Sequence, residues 1–233
     1  MPRVELIAEC SSNHGGDIAL AKEFIWRFAE AGADWIKFQT TRVKHLNPAD
    51  PQYAWFQQAE LSDEAHWKLK ATCEDAGVEF LTTVYHPAEV LFLESLKMGA
   101  IKIGSGEATD HILVKYVKHA GFPRVILSDG LGRPRGFSHE LLCCITRYPA
   151  PHGCVPSEFA GWGGYRGWSD HCVGIASCEV AILRGAAIIE KHVQLPNQAR
   201  PCRSYEATVE EFKELRLFAD KDPTRFLGRW QYA

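Results

Sequence analysis

The chain has 233 residues, 46% hydrophobic and 24% charged, which is enough to bury one substantial core as a single domain over 1–233. A formal net charge of −3, with the basic residues scattered, argues against nucleic acid as a partner. Glu5 and Glu9 break the N-terminal apolar run, and no later stretch approaches the ~20 apolar residues of a membrane helix, so the expectation is a cytoplasmic protein with no membrane partner.

Short β-branched runs alternate with amphipathic stretches almost from end to end, the pattern of a parallel α/β protein. In chain order, a strand at 4–11 leads into a helix at 18–31, and a strand at 35–40 precedes a helix at 63–76 opened by Ser62. A strand at 79–85 is followed by a helix at 87–97, and a strand at 100–104 by a helix at 110–119. Strands at 124–129, 141–146 and 167–171 come next, then a helix at 174–184, a strand at 186–193 and a helix at 209–221 capped by Thr208. Eight strands in a chain slightly below ~250 residues predict a (β/α)8 TIM barrel rather than an open doubly wound sheet. The connection 130–140 is too rich in glycine and proline for a regular helix, and 149–166 leaves room for only a brief helical turn. The expected fold is therefore a barrel with one outer helix missing between strands 5 and 6 and a rudimentary one between strands 6 and 7. Of the eight cysteines, Cys10, Cys143 and Cys144 lie inside strand-like runs and none forms a CxxC pair, which predicts reduced, structural thiols.

In such a barrel the strand ends face the catalytic mouth, and side chains two apart share a face. That rule pairs Lys37 with Gln39, Ser169 with His171 and Glu190 with His192, and places Glu9, Thr83, Lys102 and Ser128 near the ends of their strands. A lysine or glutamate in so apolar a context asks for a charged partner or ligand. The alternative is that strand-end residues bridge each other, as Lys102 with Glu107. His171 and His192 close two strands separated by one strand-helix unit, which brings two imidazoles together where a divalent metal fits. His45, His66, His86, His111, His119, His139 and His152 read as core or surface histidines satisfied by hydrogen bonds. His14, in Asn13-His14-Gly15-Gly16, reads either as a loop anchor or as part of the mouth.

Several segments carry a family resemblance in the right order. They are Ile7-Ala8-Glu9, Asn13-His14-Gly15-Gly16, Ala31-Gly32-Ala33-Asp34-Trp35-Ile36-Lys37-Phe38-Gln39-Thr40, Glu60-Leu61-Ser62, Phe80-Leu81-Thr82-Thr83, Lys102-Ile103-Gly104-Ser105-Gly106-Glu107, Ile126-Leu127-Ser128, Tyr148-Pro149-Ala150-Pro151, Ser169-Asp170-His171 and Glu190-Lys191-His192. Over nearly its whole length the chain resembles the sialic acid (N-acetylneuraminate) synthase family. The resemblance implies a metal-dependent condensation of phosphoenolpyruvate with an aldehyde sugar, giving a 2-keto-3-deoxy acid and phosphate. It implies that His171 and His192 hold a divalent metal, usually Mn2+ with Mg2+ or Co2+ as alternatives, to polarise the aldehyde. Lys37, Thr83, Lys102, Ser105, Ser128 and Ser169 would bind phosphoenolpyruvate, with Gln39 and Tyr148 nearby. Glu9 and Glu190 would position water or move protons. Cys172 is next to His171, but strand alternation points it to the opposite face.

The departures from the family concentrate on the acceptor side. The chain stops about where a linker to the family's small antifreeze-like domain begins, so that domain is expected to be missing. The family's usual homodimer depends partly on it, which leaves Phe56, Trp67 and Trp230 as candidates for another interface. Thr146 stands where the family usually has asparagine. The loop 193–205 contains no acid but has Arg200 and Arg203, and with Arg133, Arg135 and Arg147 these predict an altered, anionic acceptor. The competing readings are a barrel that binds a ligand or partner without turnover, and a metal-dependent pyruvate aldolase.

Overall fold

The computed structural model describes residues 3–131, 140–157 and 164–221. Eight parallel strands close on one another in sequence order: β1 (Glu5–Ser11), β2 (Trp35–Thr40), β3 (Glu79–Val84), β4 (Ile101–Ile103), β5 (Val125–Asp129), β6 (Glu140–Cys144), β7 (Tyr165–Asp170) and β8 (Ile188–His192). This is the (β/α)8 barrel that the alternating pattern predicts. Its outer layer holds α1 (Ile18–Glu30), α2 (Tyr53–Ala59), α3 (Asp63–Asp75), α4 (Val90–Ser95), α5 (His111–His119), α6 (Ala176–Leu183) and α7 (Val209–Asp220). No helix was expected at α2, in the long connection from β2 to α3. The stretch read as a helix over 87–97 begins as a 3-10 turn at Pro87–Glu89, where the His86 side chain accepts from the Ala88 N–H.

No helix occurs among the described residues between β5 and β6, where 132–139 lie outside the description. Between β6 and β7 the described residues run as turns, bends and an isolated bridge from Ala150 to Cys172, without a helical turn. The helices that do form start where the capping residues dictate. Asp17, Ser62 and Asp110 each accept backbone N–H groups of the first turn, and Thr208 with Glu211 makes a reciprocal capping box. On α1, Leu20, Ala21, Phe24, Ile25 and Phe28 form the buried stripe against the barrel, each large side chain contributing about 1.5–3 kcal/mol by leaving water. The helix ends at Gly32, whose φ of +93° and close approach to the Arg216 side chain both require glycine.

The barrel interior is layered. Ile7, Trp35, Leu81, Ala100, Ile126, Leu142 and Ile188 form a separate apolar cluster toward the strand N-termini. At β7 the equivalent position is Gly167, where a Cβ would stand 2.0 Å from the Ile188 carbonyl oxygen. Two residues further along each strand, on the same face, come Glu9, Lys37, Thr83, Lys102, Ser128, Cys144, Ser169 and Glu190. The apolar floor thus fixes where the polar layer must stand. No helix among the described residues is long and apolar enough to cross a membrane. Of the expected interface aromatics, Trp67 is 47% exposed on α3, Phe56 is half-buried on α2, and Trp230 lies outside the described residues.

Candidate active site

A cavity of about 320 Å³ opens at the C-terminal ends of the strands. Its floor is the polar layer, and above it stand Gln39, Tyr85, Gly104, Thr146, His171 and His192, one further step along their strands. Glu9, Lys37, Gln39, Thr83, Lys102, Ser105, Ser128, Thr146, Tyr148, Ser169, His171, Glu190 and His192, all candidates from the sequence, line this single space. Arg200 and Arg203 do not.

The floor is a connected charge network. Lys37 Nζ lies 2.9 Å from Glu190 Oε1 and 3.3 Å from Glu9 Oε2. Gln39 Nε2 donates to Glu9 Oε1 at 3.2 Å, and Ser169 Oγ donates to Glu190 Oε1 at 3.0 Å. Lys102 Nζ donates to Ser128 Oγ and to the Ile103 carbonyl, both at 2.8 Å, and stands 4.0 Å from Glu190 Oε2. The Lys102–Glu107 bridge considered from the sequence is replaced by these contacts. Burial pushes the Glu9 carboxyl up to about 7, with Lys37 opposing. Burial raises the Glu190 carboxyl too, but Lys102 and Lys37 override it and hold it well below the usual range. Burial also pulls the Lys102 ammonium down to about 8, against the attraction of Glu190. Ser105 Oγ and Glu190 Oε2 are buried without a hydrogen-bond partner among the described residues, and Glu9 Oε2 has only the Lys37 ammonium at 3.3 Å. The two ammonium groups and the hydroxyls of Thr83, Ser105, Ser128 and Ser169 can donate to an anion with several oxygens, whereas Glu9 Oε2 and Glu190 Oε2 are acceptors that face the lysines.

The two histidine rings lie 5.3 Å apart at the rim, and the Tyr148 ring covers His171 at 3.9 Å. His171 Nδ1 donates to the Ile145 carbonyl at 2.6 Å, which leaves Nε2 as the unprotonated nitrogen of the neutral ring. Burial lowers the pKa of both histidines and keeps them neutral, and His192 Nδ1 is buried without a hydrogen-bond partner among the described residues. A neutral imidazole anchored through its other nitrogen to a carbonyl suits a metal ligand. No group of three or more histidine, cysteine or carboxylate side chains is arranged to hold a metal among the described residues. A divalent cation at this pair would take its remaining ligands from water or substrate.

The remaining candidates are settled by their contacts. Cys172 Sγ turns away from the rim to the Pro151 carbonyl and Cys154. His66 is a core histidine bonded to Thr40 Oγ1 and the Ser62 carbonyl, and His14 anchors its loop by accepting from the Gly16 N–H. Arg200 Nε donates to Asn13 Oδ1 at 2.7 Å while its guanidinium lies over Trp55. Arg203 Nη1 donates to Tyr205 OH at 2.7 Å, and the Tyr205 ring packs against both Tyr148 and His192. Arg203 thus stands one side chain, Tyr205, away from the cavity, whereas Arg200 is held by Asn13, in the loop after β1, and by Trp55 of α2, neither of which lines it. Arg147 is exposed, and Arg133, Arg135 and His139 lie outside the described residues. Tyr85, Glu107 and Cys144 line the cavity although the sequence did not single them out for it. Cys144 and Tyr85 follow Leu142 and Thr83 by two, so strict alternation along β6 and β3 marks both.

The sequence profile of the NeuB family matches residues 24–220. The chain belongs to the NeuB family. Among NeuB relatives, the N,N'-diacetyllegionaminic acid synthase of Legionella pneumophila is 31% identical over 90% of this chain and 69% of its own length. The N-acetylneuraminate-9-phosphate synthase of Drosophila melanogaster is 30% identical over 82% of this chain and 60% of its own. The N-acetylneuraminic acid synthetase of Leptospira borgpetersenii, crystallised with citrate, superposes with a TM-score of 0.86 at 23% identity, covering 99% of this chain and 87% of that one. At that identity the superposition speaks for the fold alone. The NeuB match runs from α1 to α7 and so includes every strand of the barrel except β1.

Proposed function

We propose that this chain condenses phosphoenolpyruvate with a sugar-like aldehyde, forming a 2-keto-3-deoxy acid and releasing phosphate. The observation that carries the reading is the buried floor, where Lys37 and Lys102 stand among Thr83, Ser105, Ser128 and Ser169 beneath two neutral histidines. A small molecule bearing both a phosphate and a carboxylate matches that set of cations and hydroxyls, and binding it offsets the cost of keeping two ammonium groups dry. A divalent cation, Mn2+ or else Mg2+ or Co2+, held by His171 and His192 supplies Lewis-acid polarisation of the aldehyde when bound.

In the overall reaction the enol carbon bonds to the aldehyde carbon, water adds at the second donor carbon, and the carbon–oxygen bond to phosphate breaks. Glu9, whose carboxyl titrates near neutrality beside Gln39, orients the water and takes its proton. Glu190 stays ionised and balances Lys37 and Lys102. Thr146 and Tyr148 face the acceptor, and Arg200 and Arg203 serve an acidic group on it. Neither arginine forms an ion pair with a carboxylate among the described residues.

Phosphate release from phosphoenolpyruvate, followed with Mn2+ and a panel of neutral and phosphorylated amino-sugar aldehydes, tests the proposal. Release that requires both metal and aldehyde is the expected result. Consumption of pyruvate with an aldehyde, without phosphate release, overturns it in favour of an aldolase.

A further inference from the structure

Directly behind the two rim histidines, on the outward face of the same strands, lies an ion pair with no exposed surface. Lys191 Nζ stands 2.5 Å from Asp170 Oδ2, and both side chains are 0% exposed. Asp170 and Lys191 are partners in the β7–β8 ladder, and each immediately precedes a histidine, His171 or His192. The carboxylate is fully used. Its Oδ1 accepts from Trp168 Nε1 at 2.7 Å and from Ser177 Oγ of α6 at 2.6 Å, and its Oδ2 accepts from the Cys172 N–H at 3.2 Å. Lys191 Nζ also donates to the Cys172 carbonyl at 2.6 Å.

These contacts grip His171 from both sides. Residue 170 is held by its own side chain, while residue 172 is held at its N–H by Asp170 and at its carbonyl by Lys191. The same ammonium belongs to the residue next to His192. One buried pair therefore joins the backbone on either side of one rim histidine to the backbone beside the other. A charge pair taken wholly out of water is weak ground for stability, because a well-packed apolar pair of similar volume does as well or better. The geometry points instead to a fixed spacing between strand ends.

We propose that Asp170 and Lys191 are positioning residues that set the separation and orientation of His171 and His192 for one divalent cation, without themselves touching metal or substrate. The proposal rests on the reading of those histidines as metal ligands. Partners that orient metal ligands commonly change affinity by about 10–100-fold when removed.

The test compares the intact chain with D170N/K191M, in which the amide keeps an oxygen for Trp168 and Ser177 and the thioether fills the lysine stem. Mn2+ affinity is read from the electron paramagnetic resonance signal of the free ion, well below each protein's melting temperature, and the metal-free melting temperature is read separately. The expected result is a melting temperature lowered by several degrees, from the Cys172 N–H and carbonyl left unpaired, in a chain still folded at the temperature of the measurement, and a Mn2+ Kd raised about tenfold or more. S177A, which removes one donor to Asp170 and leaves the charges in place, keeps the test open if the double variant does not fold. It is expected to raise the Kd about twofold or more. Variants that bind Mn2+ as tightly as the parent overturn the positioning role and leave the metal site standing. A parent chain that binds no Mn2+ overturns both.

Discussion

Glu9 and Glu190 share one ammonium group, that of Lys37, at 3.3 and 2.9 Å, yet their carboxyls titrate in opposite directions. Glu190 has the second cation, Lys102, on its other oxygen, whereas Glu9 has only the neutral Gln39. Two carboxyls whose surroundings push them apart divide the work between a fixed charge and a group that exchanges protons.

Stability should therefore respond to pH through Glu9. Its folded pKa of about 7 lies above the ordinary 4.5, so the native state holds the extra proton between those values. That contribution is complete below the ordinary pKa and is lost as pH rises through about 7. An E9Q variant, which keeps the bond from Gln39 and cannot ionise, is expected to melt several degrees above the parent at pH 8 and within about a degree of it at pH 4. Calorimetric scans at the two pH values check this, and an equal offset at both would remove the assignment.

Lys102 is a buried cation whose strongest neighbours are a hydroxyl, a carbonyl and a distant carboxylate. K102M leaves Glu190 with Lys37 as its one neighbouring cation among the described residues, so the Glu190 carboxyl should titrate higher, while the KM for phosphoenolpyruvate rises about 10–100-fold. The acceptor KM should stay within about twofold. Steady-state kinetics with each substrate varied in turn separates the two effects.

His192 presents a buried Nδ1 that has no hydrogen-bond partner among the described residues. Replacing it with alanine is expected to remove Mn2+ binding and turnover together at little cost to the fold. Chelation of the parent chain should abolish phosphate release, and added Mn2+ should restore it. Normal turnover in H192A or in H171A contradicts the metal assignment.

Seven of the eight strands were legible because each carries its own short apolar run, and the floor because the residues two beyond Ile7, Trp35, Leu81, Ala100, Ile126 and Ile188 are polar in a context that excludes polarity. Cys144 escaped notice because a thiol in an apolar run looks like any core residue, and Tyr85 because an aromatic at a strand end normally reads as packing. The places of Arg200 and Arg203 were not legible. They depend on bonds to Asn13 and Tyr205, which only the folded loop after β8 brings near the rim. The Asp170–Lys191 pair was hidden for a related reason, since strand alternation turns both outward and only the packing of α6 shows that they are sealed.

The acceptor side is tested by R200A/R203A. Both guanidinium groups stack on aromatic rings rather than on carboxylates, so their charge is available to a ligand. The acceptor KM should rise about tenfold or more for an acidic aldehyde and about twofold or less for a neutral one, with the KM for phosphoenolpyruvate unchanged. Equal loss toward both substrates counts against an acceptor role.

The central claim is that the buried floor is a phosphoenolpyruvate site completed by a divalent cation. A thermal-shift titration with phosphoenolpyruvate, with and without Mn2+, tests it without any knowledge of the acceptor. Ligand at a hundred times its Kd adds ~2.7 kcal/mol, several degrees for a barrel of this size. A shift of that order, enlarged by Mn2+, is the result predicted. No shift under either condition would contradict the claim.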